Sequence, residues 1–582
     1  MNDVKMNSVV LTIVFLCVHS LLCGATTSGE LCPQQCHCSS SQAAGELSTT
    51  EFHVNCSRRQ ITNISDIVFA LGQDTTLLDL SSNLIKTLPP NLFSRFSNLK
   101  YLLLRENVIE ELTPNSFRGL HHLRTLDLRR NRIRMIKSDA FFEVSGEDDC
   151  NKISSKKILK EGSLCTIDLT ENNIASVERN AFPWIKKLGV RFGHSNVPLN
   201  IAPYAFYGAQ AITSLVMSHI PSINLSARLF TNLEGLKLLV VSNTHIDRLR
   251  TFVFEGLKDA QMFVFRNVSF SEIEEYAFSG VQFTPDAFAQ VGRQRQLNGG
   301  GEINFLQSSF EYFPTDGFRD TNLAQVNITR CKISRVKSYA FRGMSALRNF
   351  HLSGSSIETL EHFAFGSLRN LEHLHFEDDD LGRLVTEMFG DTMDINSFRI
   401  SVTRNLTVEA EAFSGCLNIK TLKICGAGPQ TGLEIKEGAF RHFVSVDQLI
   451  IRNFSLPVLE TGAFVGMTKV RNLRIENCNV GNLSRLAFGD LYGHQGAIES
   501  LTMNIGNNLV CDCHVLALIR QLRYKFFSYQ VPCRTEDGRT VEAESERQLG
   551  AGCSTNAAKR NCSVVAILFL TVFLSILFFL TA

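Results

Sequence analysis

Short hydrophobic runs return along most of this chain in one fixed arrangement of apolar and polar positions. In the first clear copy, Leu78 and Leu80 alternate with polar residues, Asn83 follows, and Phe93 closes the unit. Most copies are 24 residues apart, and the closing phenylalanine recurs at Phe93, Phe117, Phe141, Phe182, Phe206, Phe230, Phe254, Phe278, Phe318, Phe341, Phe365, Phe389, Phe413, Phe440, Phe464 and Phe488. A period of this size, sustained over about 400 residues, predicts a repeat architecture with one elongated core.

Each repeat predicts one short strand with a single buried face, because apolar and polar residues alternate across it. One such unit cannot bury its apolar side alone, whereas stacked copies can. We expect the asparagine to turn inward and satisfy backbone groups where the strand bends. We also expect the phenylalanines to stack as a spine behind the strands. Later repeats replace the asparagine, among other residues, by Ser195, Thr244, Ser308, Cys331, Ser355, Asp379 and Cys478.

Two wide gaps between phenylalanines locate insertions near residues 143–163 and 281–300. The first insertion contains Cys150 and ends at Cys165, and we expect a disulfide between these two cysteines. The second insertion contains several glycines and predicts a flexible, exposed loop.

The repeat motif, with Leu-x-x-Leu-x-Leu-x-x-Asn followed by Ala-Phe-x-Gly, resembles that of extracellular leucine-rich repeat proteins, including connectin- and chaoptin-like adhesion proteins and Toll-type ectodomains. The resemblance implies an α/β solenoid shaped as a right-handed horseshoe. Its parallel β-sheet would line the concave face, its convex side would be irregular or 3₁₀, and disulfide-bonded caps would close both ends. By the same resemblance the cap disulfides are Cys32–Cys38, Cys36–Cys56, Cys511–Cys533 and Cys513–Cys553. End repeats have an apolar face without a neighbour, so they need such caps.

Composition and the two chain ends point to the cell surface. The 582 residues carry a net charge of +1, which gives no electrostatic case for nucleic-acid binding, since that binding needs a concentrated basic surface. Residues 1–25 have the short apolar run and small final residues of a secretory signal peptide. Residues 564–582 lack any charge and follow a linker, 554–563, that contains small residues; this order predicts a glycosylphosphatidylinositol (GPI) signal with Asn556 as attachment residue. The alternative is a single-pass membrane helix.

Between these ends the predicted order is an N-terminal cap at 26–60, about 17 leucine-rich repeats at 61–507, and a C-terminal cap at 508–553. Asn-x-Ser/Thr sequons in a chain with a signal peptide predict a glycoprotein. They occur at Asn55, Asn63, Asn224, Asn267, Asn327, Asn405, Asn453 and Asn482.

Four further cysteines fall within the repeats. Cys331 and Cys478 occupy the asparagine position and Cys416 replaces an interior leucine, so we predict buried structural thiols at all three. Cys425 falls on the exposed face of its strand, without an assigned role. The acidic run at 377–380 lacks the ligand spacing of a calcium loop and predicts a solvated turn.

Strand residues that point away from the core would form one long surface suited to a protein partner. The candidate partner-binding residues are His351, His375, Glu377, Arg399, Lys423 and Arg452. His351 and His375 fall one repeat apart and should be neighbours, either as ordinary surface histidines or as a pH-sensitive or metal-binding pair.

No nucleophile, base and metal set converges in the motifs, so we predict neither enzymatic activity nor a cofactor. The predicted function is recognition of an extracellular protein at the outer face of the plasma membrane. It would serve adhesion, including homophilic adhesion, or presentation of a ligand to a co-receptor. The alternatives are an immune pattern-recognition receptor resembling Toll ectodomains and, from another class, an enzyme.

Overall fold

The computed structural model describes residues 32–42, 50–151, 165–284, 300–390, 393–442, 445–459, 462–467, 469–483 and 498–505, together with 529–530, 533–534 and 540–541. They fall into two compact units. The first contains the residues up to His245 and Val253–Met262, and the second contains Ile246–Phe252 and the residues from Phe263 onward. In these ranges no helix combines the length and apolarity needed to cross a membrane.

Strands make up nearly all of the regular structure. Strands β1 to β13 are His37–Gln42, Thr50–Asn55, Thr75–Asp79, Tyr101–Leu103, Glu111–Leu112, Thr125–Asp127, Met135–Ile136, Thr166–Asp168, Ser176–Val177, Lys186–Gly193, Leu199–Ile201, Ala211–Ser218 and Ile223–Leu225. Strands β14 to β24 are Leu238–Leu249, Met262–Ile273, Gly300–Leu306, Ser309–Phe313, Leu323–Thr329, Lys332–Val336, Asn349–Ser353, Ser356–Leu360, His373–Asp379, Arg383–Leu384 and Met393–Val402. Strands β25 to β34 are Leu406–Val408, Cys416–Gly426, Leu433–Ile435, Ser445–Arg452, Ser455–Leu459, Lys469–Leu483, Ile498–Ile505, Tyr529–Gln530, Cys533–Arg534 and Thr540–Val541.

In the first unit, one strand of each repeat joins a parallel sheet in the order β2, β3, β4, β6, β8, β10, β12. A second, shorter ladder of parallel strands runs through β5, β7, β9, β11 and β13. At the start of the main parallel sheet, β1 and β2 form an antiparallel hairpin that the Cys32–Cys38 and Cys36–Cys56 disulfides hold. Helix α1, Ile64–Phe69, follows and buries Ile64, Ile67 and Val68.

In the second unit, the parallel sheet runs through β16, β18, β20, β22, β24, β26, β28, β30 and β31. Short parallel ladders accompany it, in the order β17, β19, β21 and in the order β23, β25, β27. The predicted solenoid of parallel strands is therefore confirmed. Helix is almost absent from the described residues, where it comprises α1 and the 3₁₀ turn Asp148–Asn151.

The strands turn where the sequence places the asparagine. Ser82 and Glu106, each just before that asparagine, have a left-handed backbone with φ near +57°, which turns the chain away from the sheet and leaves carbonyls without strand partners. Asn107 satisfies two of them, since its Nδ2 donates to the oxygens of Leu80 at 2.9 Å and Leu104 at 3.0 Å. Its Oδ1 accepts from the Ile85 amide at 3.1 Å. We call this column of side chains the asparagine ladder.

Phenylalanines form the predicted spine behind the sheet. In the first unit the rings of Phe93, Phe117, Phe141, Phe182, Phe206, Phe230 and Phe254 stack in succession, with centroids 4.9–6.2 Å apart. In the second unit Phe318, Phe341 and Phe365 stack, as do Phe440 and Phe464. Between Phe389 and Phe413 the column passes through Phe398, whose ring lies edge-on to both. Stacked aromatic pairs add about 0.5–1.5 kcal/mol each beyond their area burial.

Candidate functional site

The candidate partner-binding residues lie on the side of the second unit's sheet that faces away from the core. In β20 and β22, Phe350, Leu352, Leu374 and Phe376 are buried, which turns the intervening residues outward. Parallel pairing aligns Asn327, His351, His375, Arg399 and Lys423 in one row across β18 to β26. We call this surface the open face.

Glu377 lies two positions after His375 on β22, and Arg452 lies on β28. Cys425 of β26 aligns with Arg452 of β28, so the open face extends at least from β18 to β28. Regular parallel pairing at about 4.8 Å per strand therefore brings together the six residues predicted from sequence.

The two histidines contact each other. The His351 and His375 rings are edge-to-face with centroids 4.5 Å apart, and His375 Nε2 lies 3.1 Å from Ser397 Oγ. Burial, then the neighbouring His351 and Arg399, lowers the pKa of His375 to about 4. His375 is therefore neutral between pH 5 and pH 8, where a histidine switch would act.

Three potential metal-ligand atoms converge, within the described ranges, only at Asp149, Cys150 and Cys165. Cys150 and Cys165 form a disulfide, which leaves neither sulfur available as a thiolate ligand.

Charged side chains surround a shallow depression of about 320 Å³ on the open face. Its lining consists of Glu377, Asp378, Arg399, Ser401, Lys423, Cys425 and Arg452. Arg399 Nη1 donates to Glu377 Oε1 at 2.9 Å, and Ser401 Oγ donates to Asp378 Oδ1 at 3.0 Å. Arg452 Nε donates to Cys425 Sγ at 3.2 Å. We call this site the charged depression.

Cys425 differs from its sequence prediction. It lies in the charged depression as expected for the outward face, but it is only 7% exposed. The sequence pattern places its Cβ on the outward side of the strand and does not show how the long side chains around it close over it.

Asp379 corrects the prediction of a solvated acidic turn at 377–380. Asp378 is exposed and Glu377 half-buried, whereas Asp379 has no exposed surface. Its Oδ1 accepts from the Ser355 amide at 2.7 Å, in the manner of the asparagine ladder. Its Oδ2 is buried without a hydrogen-bond partner. Register in the ladder, rather than the local acidic composition, decides its burial.

The sequons occupy different environments. Asn55, Asn63, Asn224, Asn267 and Asn405 are exposed. Asn453 is half-buried, and so is Asn327, whose Nδ2 donates to Asn304 Oδ1 at 2.8 Å on the open face. Asn63 also caps α1, because its Oδ1 accepts from the Ser65 amide at 3.1 Å. Asn482 belongs to β30, but its side chain is outside the described residues.

The remaining site predictions fall partly outside the described residues. Cys331, Cys416 and Cys478 are buried free thiols, as predicted. Burial raises the pKa of the Cys331 and Cys478 thiols to about 11. The described ranges leave out residues 1–25, 564–582, Cys511, Cys513, Cys553 and Asn556, and of Cys533 they include only its place at the start of β33.

Two family models match this chain. The one described as "Leucine rich repeat" matches residues 49–109, 75–133 and 97–145. The one described as "BspA type Leucine rich repeat region (6 copies)" matches 199–286, 311–427 and 383–517, just over half of the chain. The chain belongs to the leucine-rich repeat family. The asparagine ladder and the phenylalanine spine are thus features of its leucine-rich repeats.

Solved structures that are similar to this chain include the TLR13–ssRNA13 complex, at 17% identity over 78% of this chain and 66% of that one, with a TM-score of 0.27. The Toll–Spatzle complex of Drosophila is 12% identical over 80% of this chain and 76% of that one, with a TM-score of 0.36. The glycosylated form of that complex is 12% identical over 82% of this chain and 80% of that one, with a TM-score of 0.36. No curated protein matches the chain significantly.

Proposed function

We propose that this leucine-rich repeat protein is a non-enzymatic recognition protein that binds an extracellular protein partner through the open face. We further propose that it acts at the outer face of the plasma membrane, held there by a GPI anchor at Asn556. The observation that supports partner binding is the open face itself, where outward side chains of successive strands align in register over β18 to β28.

Such a surface suits protein recognition for two reasons. Its side chains rise from paired strands, so the backbone needs little ordering when a partner binds. It also mixes charged, imidazole and amide groups, which favours a specific contact over a general apolar one. The two candidate roles are adhesion between cells and presentation of a ligand to a co-receptor.

A glycan placed on the open face tests this proposal. Arg399→Asn creates a sequon with Ser401, and the Arg399 side chain is 42% exposed. We expect cells that display this variant to lose the binding shown by wild-type cells, because the attached sugar would cover the neighbouring strands. The measurement is aggregation of these cells with one another and with a panel of second cell types, at equal surface amounts. Aggregation among themselves indicates homophilic adhesion, and binding to a second cell type alone indicates presentation.

Two controls separate the glycan from other effects. The double variant Arg399→Asn with Ser401→Ala lacks the sequon and should bind as Arg399→Ala does. Lys332→Asn creates a sequon with Ser334 on β19, which belongs to the short ladder, and should leave binding intact. Undiminished aggregation of cells with a glycosylated Arg399→Asn variant would show that the open face is not the contact surface.

A further inference from the structure

We propose that the charged depression binds a side-chain carboxylate of a protein ligand, held between Lys423 and Arg452. This inference rests on the proposed function, because it names the chemistry that one part of the open face recognises. It begins from the unequal pairing of charges around the depression.

Three cations line the depression, and only one of them is neutralised there. Arg399 makes an ion pair with Glu377 at 2.9 Å. Lys423 aligns with Arg399 on the neighbouring strand. Within the described residues Lys423 has neither an ion pair nor a hydrogen bond, and Arg452 has no ion pair. Two cations are therefore left for an incoming anion.

The guanidinium of Arg452 is held in place by the floor of the depression. Its Nε donates to the Sγ of the buried Cys425, one strand away. This bond uses the Nε–H and leaves the two terminal amino groups for a ligand. A guanidinium fixed in this way loses less conformational freedom on binding a carboxylate than a free one does.

The acidic residues around the depression favour a carboxylate on a protein over a sulfated polysaccharide. Glu377 and Asp378 border one side, and Glu476 aligns with Arg452 on the other. A sulfated polysaccharide carries its charged groups close to its sugar rings and needs a continuous row of cations, so these carboxylates would repel it. A single acidic side chain can instead enter a space of about 320 Å³ and meet the two unneutralised cations.

The test measures binding of fluorescein-labelled hexaglutamate to cells that display the full chain. Hexaglutamine and a heparin hexasaccharide serve as the comparison probes. We expect hexaglutamate to bind more strongly than hexaglutamine and less strongly as salt is raised, because the contact is partly exposed. Lys423→Gln and Arg452→Gln should each lower hexaglutamate binding about fivefold, the loss of one half-sheltered charge contact.

Matched variants keep the result separate from folding. Lys420→Gln removes the same charge from an exposed position on the same strand, outside the depression, and should bind like wild type. Lys423→Arg keeps the charge and should retain binding.

Three outcomes would overturn the proposal. In the first, the Lys423→Gln and Lys420→Gln variants bind hexaglutamate equally. In the second, the wild-type chain binds hexaglutamate and hexaglutamine equally. In the third, the wild-type chain binds only the heparin probe, and the Lys423 and Arg452 variants lose that binding. The last outcome would assign the depression to a sulfated glycan. Failure of the proposed function can be told apart from failure of this inference. In that case the glycan on β24 leaves cell binding unchanged, while hexaglutamate binding to the wild-type chain still depends on Lys423.

Discussion

Several residues of the asparagine ladder have a side chain that can donate a hydrogen bond to a backbone carbonyl. Asn107 donates to two backbone carbonyls, Ser355 Oγ lies within hydrogen-bond distance of the Ile328 and Ser353 oxygens, and Cys331 Sγ lies 3.4 Å from the Phe305 oxygen. Each therefore brings a hydrogen to donate. An ionised aspartate has none. Asp379 therefore differs from these residues: its Oδ1 accepts from the Ser355 amide and its Oδ2 is buried without a hydrogen-bond partner, so burial favours the neutral acid.

The ionisation of Asp379 makes stability depend on pH. Burial raises the pKa of Asp379 from 3.8 to about 7. Between these values the folded chain holds a proton that the unfolded chain releases, so the free energy of unfolding falls as pH rises from about 4 to about 7 and then levels off. The pKa difference corresponds to about 4 kcal/mol above pH 7.

Asp379→Asn should remove this dependence. The amide carries no charge at any pH, so we expect the variant to be more stable than wild type above pH 7 and close to it near pH 4. Urea denaturation of the purified ectodomain at a series of pH values measures the difference.

The reverse substitution provides the control. Asn107→Asp places a carboxyl group in the same role in the first unit, so it should destabilise the chain more at pH 8 than at pH 4. If the difference between Asp379→Asn and wild type were the same at both pH values, the buried ionisation would be excluded.

At the residue scale, the ladder position could be predicted from sequence, because its spacing from the strand is constant. The same spacing places Asp379 in the ladder, but its acidic neighbours Asp378 and Asp380 lead us to predict a solvated turn instead of a buried side chain. The contact between Arg452 and Cys425 could not be predicted from the sequence. It depends on the direction of a long side chain, which strand alternation does not determine.

Among the elements, the phenylalanine spine links each repeat to the next. Phe341 is 1% exposed and contacts Phe313, Phe318, Phe350 and Phe365 at centroid distances of 5.0–5.7 Å. Its neighbours come from both adjacent repeats, so they cannot easily collapse into the space that a smaller side chain would leave.

Phe341→Ala should therefore destabilise the chain by about 3–5 kcal/mol through the cavity it creates. Secreted or displayed protein should fall, while any correctly folded fraction binds as wild type does. Quantitative immunoblotting of surface protein and denaturation of the ectodomain measure these effects.

Phe69→Ala makes the same change at the end of α1, where the side chain is 67% exposed, and should cost little. Normal stability and surface amount for Phe341→Ala would show that the spine is not a stabilising element.

The strands and the spine could be predicted because each is encoded within one repeat. Leu78 and Leu80 show the buried face, and Phe93 marks the period. The detour of the spine through Phe398 could not be predicted from that period. Phe398 belongs to a main strand, and its edge-on contacts with Phe389 and Phe413 depend on how neighbouring repeats pack.

For the whole molecule, the proposed anchor makes a separate prediction. Phosphatidylinositol-specific phospholipase C should release the displayed protein into the medium, because it cleaves the lipid that would hold it. Asn556→Pro should lower the amount on the surface if Asn556 is the attachment residue. Flow cytometry before and after treatment measures both. Complete retention after treatment, with a displayed membrane protein of known GPI type released in parallel, would favour a membrane-spanning segment instead.

The six candidate partner-binding residues could be placed on one face from sequence. Residues at equivalent positions of successive repeats become neighbours when their strands pair in parallel. The sequence did not reveal which of their charges neutralise one another. Arg399 with Glu377, and Arg452 with Cys425, pair across strands that are more than 20 residues apart in the chain.

The distribution of cysteines between the units has a consequence for how the chain is made. Among the described residues, the three disulfides belong to the first unit and the four free cysteines to the second. In an oxidising compartment both kinds are exposed to the same oxidants while the chain emerges. Cys331, Cys416, Cys425 and Cys478 remain unpaired only if packing encloses them before oxidation joins them. The second unit therefore reaches this structure only if it folds faster than its thiols are oxidised.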